Sequence, residues 1–162
     1  MKRVQEELRY DGATIGQVYA MLVTREFREA VCDYQRVLGR TVTVNQAGET
    51  ASVSIDQEHG TGRLPGFAKK IVGDRIRIVQ SEVWTGGAHG NITVTVPGKP
   101  GDMTGTATLV GEDGGVTEKV DMAVKVSLPL IGGKVEGLIA DMLTKALRAE
   151  HHVGKEWLAG RT

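Results

Sequence analysis

The sequence predicts an α+β fold: a seven-stranded antiparallel sheet wrapped around one long C-terminal helix, with two short helices after the first strand. Three observations carry the prediction. In residues 133–158, Val135, Leu138, Ile139, Met142, Leu143, Ala146 and Leu147 fall at the three- and four-residue spacing of one helical face. Between residues 41 and 128 apolar side chains recur at every second position instead, the period of a strand with one buried face. Between residues 14 and 38 two short runs of helical period stand in succession. A helix over 133–158 is ~39 Å long, so its stripe needs a large apolar partner. Most of what precedes it is strand, which makes that partner a sheet.

Composition sets the outer bounds. The 162 residues fit one domain, 1–162, able to bury roughly 70% of its unfolded surface. Twenty basic residues balance twenty acidic ones, and no basic block stands out, which argues against a nucleic-acid partner. Twenty-two glycines against four prolines favour many turns. Cys32 is the sole cysteine, so no internal disulfide and no thiolate cluster for zinc can form. Its neighbours, Ala-Val-Cys-Asp-Tyr, make it a packed thiol in a helix. The charged start, Met-Lys-Arg-Val-Gln-Glu-Glu, has no signal-peptide core, and no apolar run approaches the ~20 residues of a membrane span. The expectation is a cytoplasmic protein without membrane insertion, a monomer or weak homodimer.

The elements follow in order. Val4, Glu6, Leu8 and Tyr10 alternate with Arg3, Gln5, Glu7 and Arg9 as a first strand, ended by Asp11-Gly12. Thr14 caps a helix that buries Ile15, Val18, Tyr19 and Leu22. Thr24 caps a second, with Phe27, Ala30, Val31, Tyr34 and Leu38 as its buried stripe and Gly39 as its stop. Val42 and Val44, then Ala51, Val53 and Ile55, form a hairpin about Gly48. Residues 58–73 form the longest irregular stretch, rich in glycine yet carrying Leu64, Phe67, Ile71 and Val72, so it is either tucked into the core or a flap over something. In 74–84 the even positions, Ile76, Ile78, Gln80, Glu82 and Trp84, are the more apolar set and point inward. Ile92, Val94 and Val96 make the fifth strand; Met103, Gly105, Ala107 and Leu109 face inward on the sixth. Val116, Val120, Met122, Val124, Val126 and Leu128 make the seventh, broken only by an inward Glu118. Pro129 ends the ladder and Gly132-Gly133 starts the final helix. On that helix Lys134, Glu136, Asp141, Lys145, Arg148, Glu150, Lys155 and Glu156 supply the wet side.

Motifs for catalysis are scarce. His151 and His152, adjacent on a helix, point ~100° apart and cannot share a metal as an i, i+4 pair does. His59 and His89 lie in glycine-containing stretches, and all four histidines are expected at the surface. Gly60-Thr61-Gly62 lacks the strand–helix context of a phosphate loop, and Ser52, Ser54, Ser81 and Ser127 lack that of a nucleophile elbow. Neither a metal nor a cofactor is called for. The unusual polar set is Gln80, Glu82 and Glu118, inward among Ile76, Ile78, Trp84, Val120 and Met122. A buried carboxylate must be paired, hydrated or protonated, which is how an acid/base or a ligand-orienting group behaves. The opposing reading is a bulge that turns these residues out and leaves Val79 and Val83 inside. Gly105 and Ala107 either leave room for a ligand or let the helix approach closely.

The order of elements resembles the helix-grip fold of the START-like (SRPBCC) superfamily, over essentially the whole chain. Leu-Pro-Gly-Phe-Ala-Lys-Lys at 64–70, Val-Pro-Gly-Lys-Pro-Gly-Asp-Met-Thr-Gly-Thr-Ala at 96–107 and Leu-Pro-Leu-Ile-Gly-Gly-Lys-Val-Glu at 128–136 also resemble an uncharacterised bacterial family within it. The resemblance implies a cavity between sheet and long helix that holds a lipid, polyketide or other apolar molecule. It brings no catalytic motif. The expected function is therefore binding, as carrier or sensor, of a hydrophobic or amphipathic small molecule. Phe67, Ile76, Ile78, Gln80, Trp84, Val94, Ala107, Met122, Leu138 and Met142 are its candidate contacts. The alternative is a cyclase- or dehydratase-type enzyme with Glu82 or Glu118 as acid/base. A protein-binding module would need an exposed apolar patch, against which the Thr/Lys/Asp outer faces argue.

Overall fold

A computed structural model of the chain describes residues 1–161. Its elements are β1 (Lys2–Asp11), α1 (Ile15–Leu22), α2 (Arg25–Tyr34), β2 (Gly39–Ala47), β3 (Thr50–Gly60), α3 (Gly66–Val72), β4 (Arg75–Thr85), β5 (His89–Thr95), β6 (Asp102–Glu112), β7 (Gly115–Lys125) and α4 (Gly132–Leu158). The seven strands form one antiparallel sheet in the order β1-β7-β6-β5-β4-β3-β2, so the first strand pairs with the last and β2 is the far edge. The terminal helix, 27 residues long, packs on β1 and β7 and against α1 and α2. This is the helix-grip arrangement.

The strand registers follow the period-two pattern. On β4, Ile76, Glu82 and Trp84 are buried while Val83 is 43% exposed, so no bulge turns the polar residues out. Glu82 pairs across the ladders with Val53 and Ile92, and Glu118 with Leu8 and Leu109. Both therefore share the concave face with apolar neighbours.

Two glycines show where close contact, rather than empty space, sets the residue. A Cβ on Gly90 would lie 2.7 Å from the Trp84 indole, which lies against that backbone. A Cβ on Gly105 would collide with the Asp121 carbonyl oxygen and Met122 of the neighbouring strand. Gly105 is small because β7 passes close by, and it opens no room for a ligand.

Four local expectations are corrected. The irregular stretch is shorter than predicted, since β3 runs on to Gly60 and Gly66–Val72 form α3 after Pro65. The second helix stops at Tyr34, because Arg36 adopts φ 57°. Tyr34 and Leu38 are consequently 53% and 56% exposed, and Arg28 occupies the inward position instead. Thr14 caps α1 in a full capping box with Gln17, but the Thr24 hydroxyl donates back to the Ala20 carbonyl and does not cap α2. Finally, Glu136 and Glu150 on α4 are buried, not on its wet side.

Candidate functional site

A cavity of ≈ 170 Å³ lies between the concave face of the sheet and α4. Ile76, Ile78 and Val94 of the sheet line it, with Met122 from β7 and Leu138 and Met142 from α4. Leu64, Ala68 and Ile71 close it from the segment around α3. Most of this wall is apolar. The α4 residues on it run from Val135 to Glu150, a span of ~22 Å along the helix. Arg28, Glu150 and Gln80 belong to the wall, so one region of it is polar.

That region is the surface of a buried ionic cluster. Arg28, on α2, is 2% exposed and reaches three partners. Its Nη2 donates to Glu82 Oε1 at 2.7 Å, its Nη1 to Glu150 Oε2 at 3.3 Å, and its Nε to the Leu22 carbonyl at 2.7 Å. Glu82 also accepts from Trp84 Nε1 at 2.8 Å and from the Gln80 amide. Charge-assisted bonds of this kind are what make buried ions tolerable.

The cluster is nevertheless not closed. Three buried oxygens lack a partner: the Tyr10 hydroxyl, Glu118 Oε1 and Glu150 Oε1. Three carboxyls surround one guanidinium, so full ionisation would leave two negative charges unbalanced in a low-dielectric interior. Burial, joined by the charge of Glu150, holds the Glu118 carboxyl well above the usual range; burial also raises Glu150, against the pull of Arg28. Because the two carboxyls interact, they titrate as a pair. Burial and the charge of Glu118 likewise raise the Tyr10 phenol.

The predicted contacts divide in two. Ile76, Ile78, Gln80, Val94, Met122, Leu138 and Met142 line the cavity, whereas Phe67, Trp84 and Ala107 do not. Trp84 and Ala107 are fully buried, the indole donating to Glu82. Phe67 is half-buried on α3, with the Lys134 ammonium 4.5 Å from its ring centroid. Glu82 and Glu118 are both 3% exposed and lie behind the wall. Sequence reasoning missed Arg28 and Glu150. The signal was present: Arg28 stands three and four residues before Val31 and Cys32, and Glu150 four after Ala146 and three before Val153, each on its helix's apolar stripe.

The remaining reactive side chains are accounted for. Burial pushes the Cys32 thiol up to about 11, the state of a packing residue. His89 and His152 are exposed; His59 and His151, expected at the surface, are half-buried. His59 contacts Gln57 Oε1 at 2.9 Å and His151 donates to the Arg9 carbonyl at 2.7 Å. Among the described residues no cluster of metal-ligating side chains occurs, and no helix is long and apolar enough to cross a membrane.

Comparison with solved structures supports the fold. The chain is similar to TTHA0849 from Thermus thermophilus, with a TM-score of 0.66 and 16% identity over 99% of this chain and 100% of that one. It is similar to the Zhui aromatase/cyclase from Streptomyces sp. R1128, with a TM-score of 0.60 and 10% identity over 99% and 94%. Its structural neighbours are helix-grip proteins of the START-like kind. In sequence it is 28% identical to the uncharacterized protein Rv0481c of Mycobacterium tuberculosis over 101 residues, 59% of this chain. The chain spans 58% of the length of that relative. A family profile described as "Protein of unknown function (DUF2505)" matches residues 6–158, and the chain belongs to that family.

Proposed function

We propose that the protein binds a hydrophobic or amphipathic small molecule between the sheet and α4, as a carrier or sensor in the cytoplasm. The observation that carries this reading is the ≈ 170 Å³ apolar cavity itself. It is comparable in size to the ~150 Å³ apolar cavity that stays dry and takes up benzene. Ile76, Ile78, Val94, Met122, Leu138 and Met142 contact the apolar body of the ligand, and Gln80 with Arg28 and Glu150 meets its polar end. Trp84 and Ala107 hold the wall from behind, and Phe67 anchors the α3 cover. Native mass spectrometry of protein purified without delipidation tests this. A co-purifying small molecule is expected; an empty protein that also takes up no apolar probe contradicts the reading.

A second reading has one observation behind it, the buried carboxyls of Glu118 and Glu150 beside the cavity, both raised by burial. In a cyclase- or dehydratase-type enzyme Glu118 would store a proton and Glu150 would present it at the wall. General acid–base steps contribute about 10²–10⁴-fold. Turnover of the co-purified molecule by the wild type, lost in Glu118→Gln with binding intact, distinguishes enzyme from binder.

A further inference from the structure

The end of the molecule where α3 covers the cavity differs in charge from the rest of the chain. Three segments meet there: residues 61–73 with α3, the β5–β6 loop at 96–101, and the passage from β7 into α4 at 126–135. Each contributes to the cavity wall, through Leu64 and Ile71, Lys99 and Pro100, and Leu128 and Val135. The Lys134 ammonium over the Phe67 ring ties the first segment to the third. The second abuts the third, since a Cβ on Gly101 would lie 3.5 Å from the Val126 side chain. Together they hold Arg63, Lys69, Lys70, Lys99 and Lys134, and not one Asp or Glu. All five cations are exposed, and among the described residues none pairs with a carboxylate. Asp74 and Asp102 border the segments and are offset in number by Lys2 and Lys125 at the neighbouring strand ends. Because twenty basic residues balance twenty acidic ones overall, the rest of the chain is acidic by the same five charges.

The same end carries an apolar tip. Leu130 is 104% exposed and Ile131 37%. Leu130 has φ 68° at the centre of a turn closed by the Ile131 N–H donating to the Pro129 carbonyl at 2.8 Å. A three-residue turn with positive φ is the rare, strained form. A leucine held there costs free energy, and a wholly exposed side chain recovers none of it by burial within the chain.

We infer that this end of the protein docks reversibly on an anionic lipid surface, with Leu130 and Ile131 entering the interface and the five cations held at the phosphates. Residue type favours lipid over an acidic protein. Four of the five cations are lysines, whereas protein interfaces are depleted of lysine and enriched in arginine. Lysine is a flexible point charge, which suits a fluid field of headgroups. A short apolar tip among cations is the composition of an interfacial anchor, whose apolar part lies below the headgroups. The surplus carboxylates elsewhere on the chain are repelled by the same surface, which sets the orientation. The inference concerns the outer surface of the cover and does not rest on the proposed ligand.

Co-sedimentation of the full chain with vesicles tests it. One set is phosphatidylcholine alone and the other contains ~30% phosphatidylserine, both in ~0.1 M salt, where the Debye length is ~10 Å. Partition onto the anionic set is expected to be at least about tenfold higher, and to fall to the phosphatidylcholine level in ~1 M salt. Lys69→Gln with Lys70→Gln should lower it at least about tenfold, whereas Lys119→Gln with Lys155→Gln, toward the opposite ends of β7 and α4, should change it less than about twofold. Glycine adopts φ 68° freely, so Leu130→Gly keeps the turn. That variant should lower partition at least about threefold. Equal partition onto the two vesicle sets, or partition unchanged in the Lys69/Lys70 variant, overturns the inference. Binding that ignores Leu130→Gly is charge adsorption alone and also overturns it. Binding to soluble polyglutamate without binding to vesicles assigns the surface to an acidic protein, and overturns it as well.

Discussion

Helix α4 buries two glutamates fourteen residues apart, and their surroundings are opposite. Near its start, Glu136 accepts from the Val126 backbone N–H at 2.9 Å and from the Met1 ammonium at 3.0 Å. Those donors hold its carboxyl below the usual range. Toward its end, Glu150 has one oxygen on Arg28 and the other on nothing, and burial raises its carboxyl. Both are 7% exposed, so burial alone does not distinguish them. The difference lies in partner count. Glu136 fastens the start of α4 to the end of β7, a structural role completed within the chain. Glu150 keeps one oxygen buried without a donor, among Arg28, Glu82 and Glu118 and behind the cavity wall.

The largest effect expected from breaking this arrangement is at Arg28. Arg28→Met removes the cation that Glu82 and Glu150 share and leaves buried carboxylates uncompensated. Such losses run to about 3–5 kcal/mol. Urea denaturation of the variant should show a shift of that size; a loss under about 1 kcal/mol would mean the cluster is hydrated rather than sealed.

A smaller effect, with a sign, separates the two ends of α4 by pH. Glu118 and Glu150 have folded values raised above the ordinary 4.5, so their contribution is complete below that pH and is lost as pH rises toward the folded values. One such group costs up to ~1.4 kcal/mol per pH unit in that window. Glu118→Gln should therefore flatten the decline in stability between pH 5 and pH 8, measured by denaturation at each pH. An unchanged slope would show that Glu118 ionises freely in the folded protein.

The smallest effect is at Glu136, where the sign reverses. Its lowered value means stability present above 4.5 and lost as the pH falls through the folded value. Glu136→Gln should weaken the protein slightly at pH 7 and make it less sensitive to acid. Greater acid sensitivity in the variant would contradict the assignment.

How much of this was legible depends on the range of the interaction. The register of β4 followed from counting alternate residues, and the terminal helix from its stripe, because both patterns are local. The short helix α3 was not legible, since Pro65-Gly66 and the surrounding glycines read as a loop although Leu64, Ala68 and Ile71 cover the cavity. Glu82 and Glu118 could be placed inward, but not joined to anything. Their cluster depends on Arg28, 54 residues from Glu82 and 122 from Glu150 in sequence. A charge on an apolar stripe looks like a solvated edge until its partner is brought from another element. Gly105 illustrates the converse: a small inward residue looks like space until the neighbouring backbone is seen to fill it.

Ligand binding between the sheet and α4 requires the cavity to accept an apolar body. A methyl-resolved NMR titration with toluene tests that most directly. Saturable shifts are predicted at Ile78, Met122, Leu138 and Met142, which line the cavity, with none at Val83 on the outer face of β4. Shifts that never saturate, or that appear equally at Val83, would contradict it.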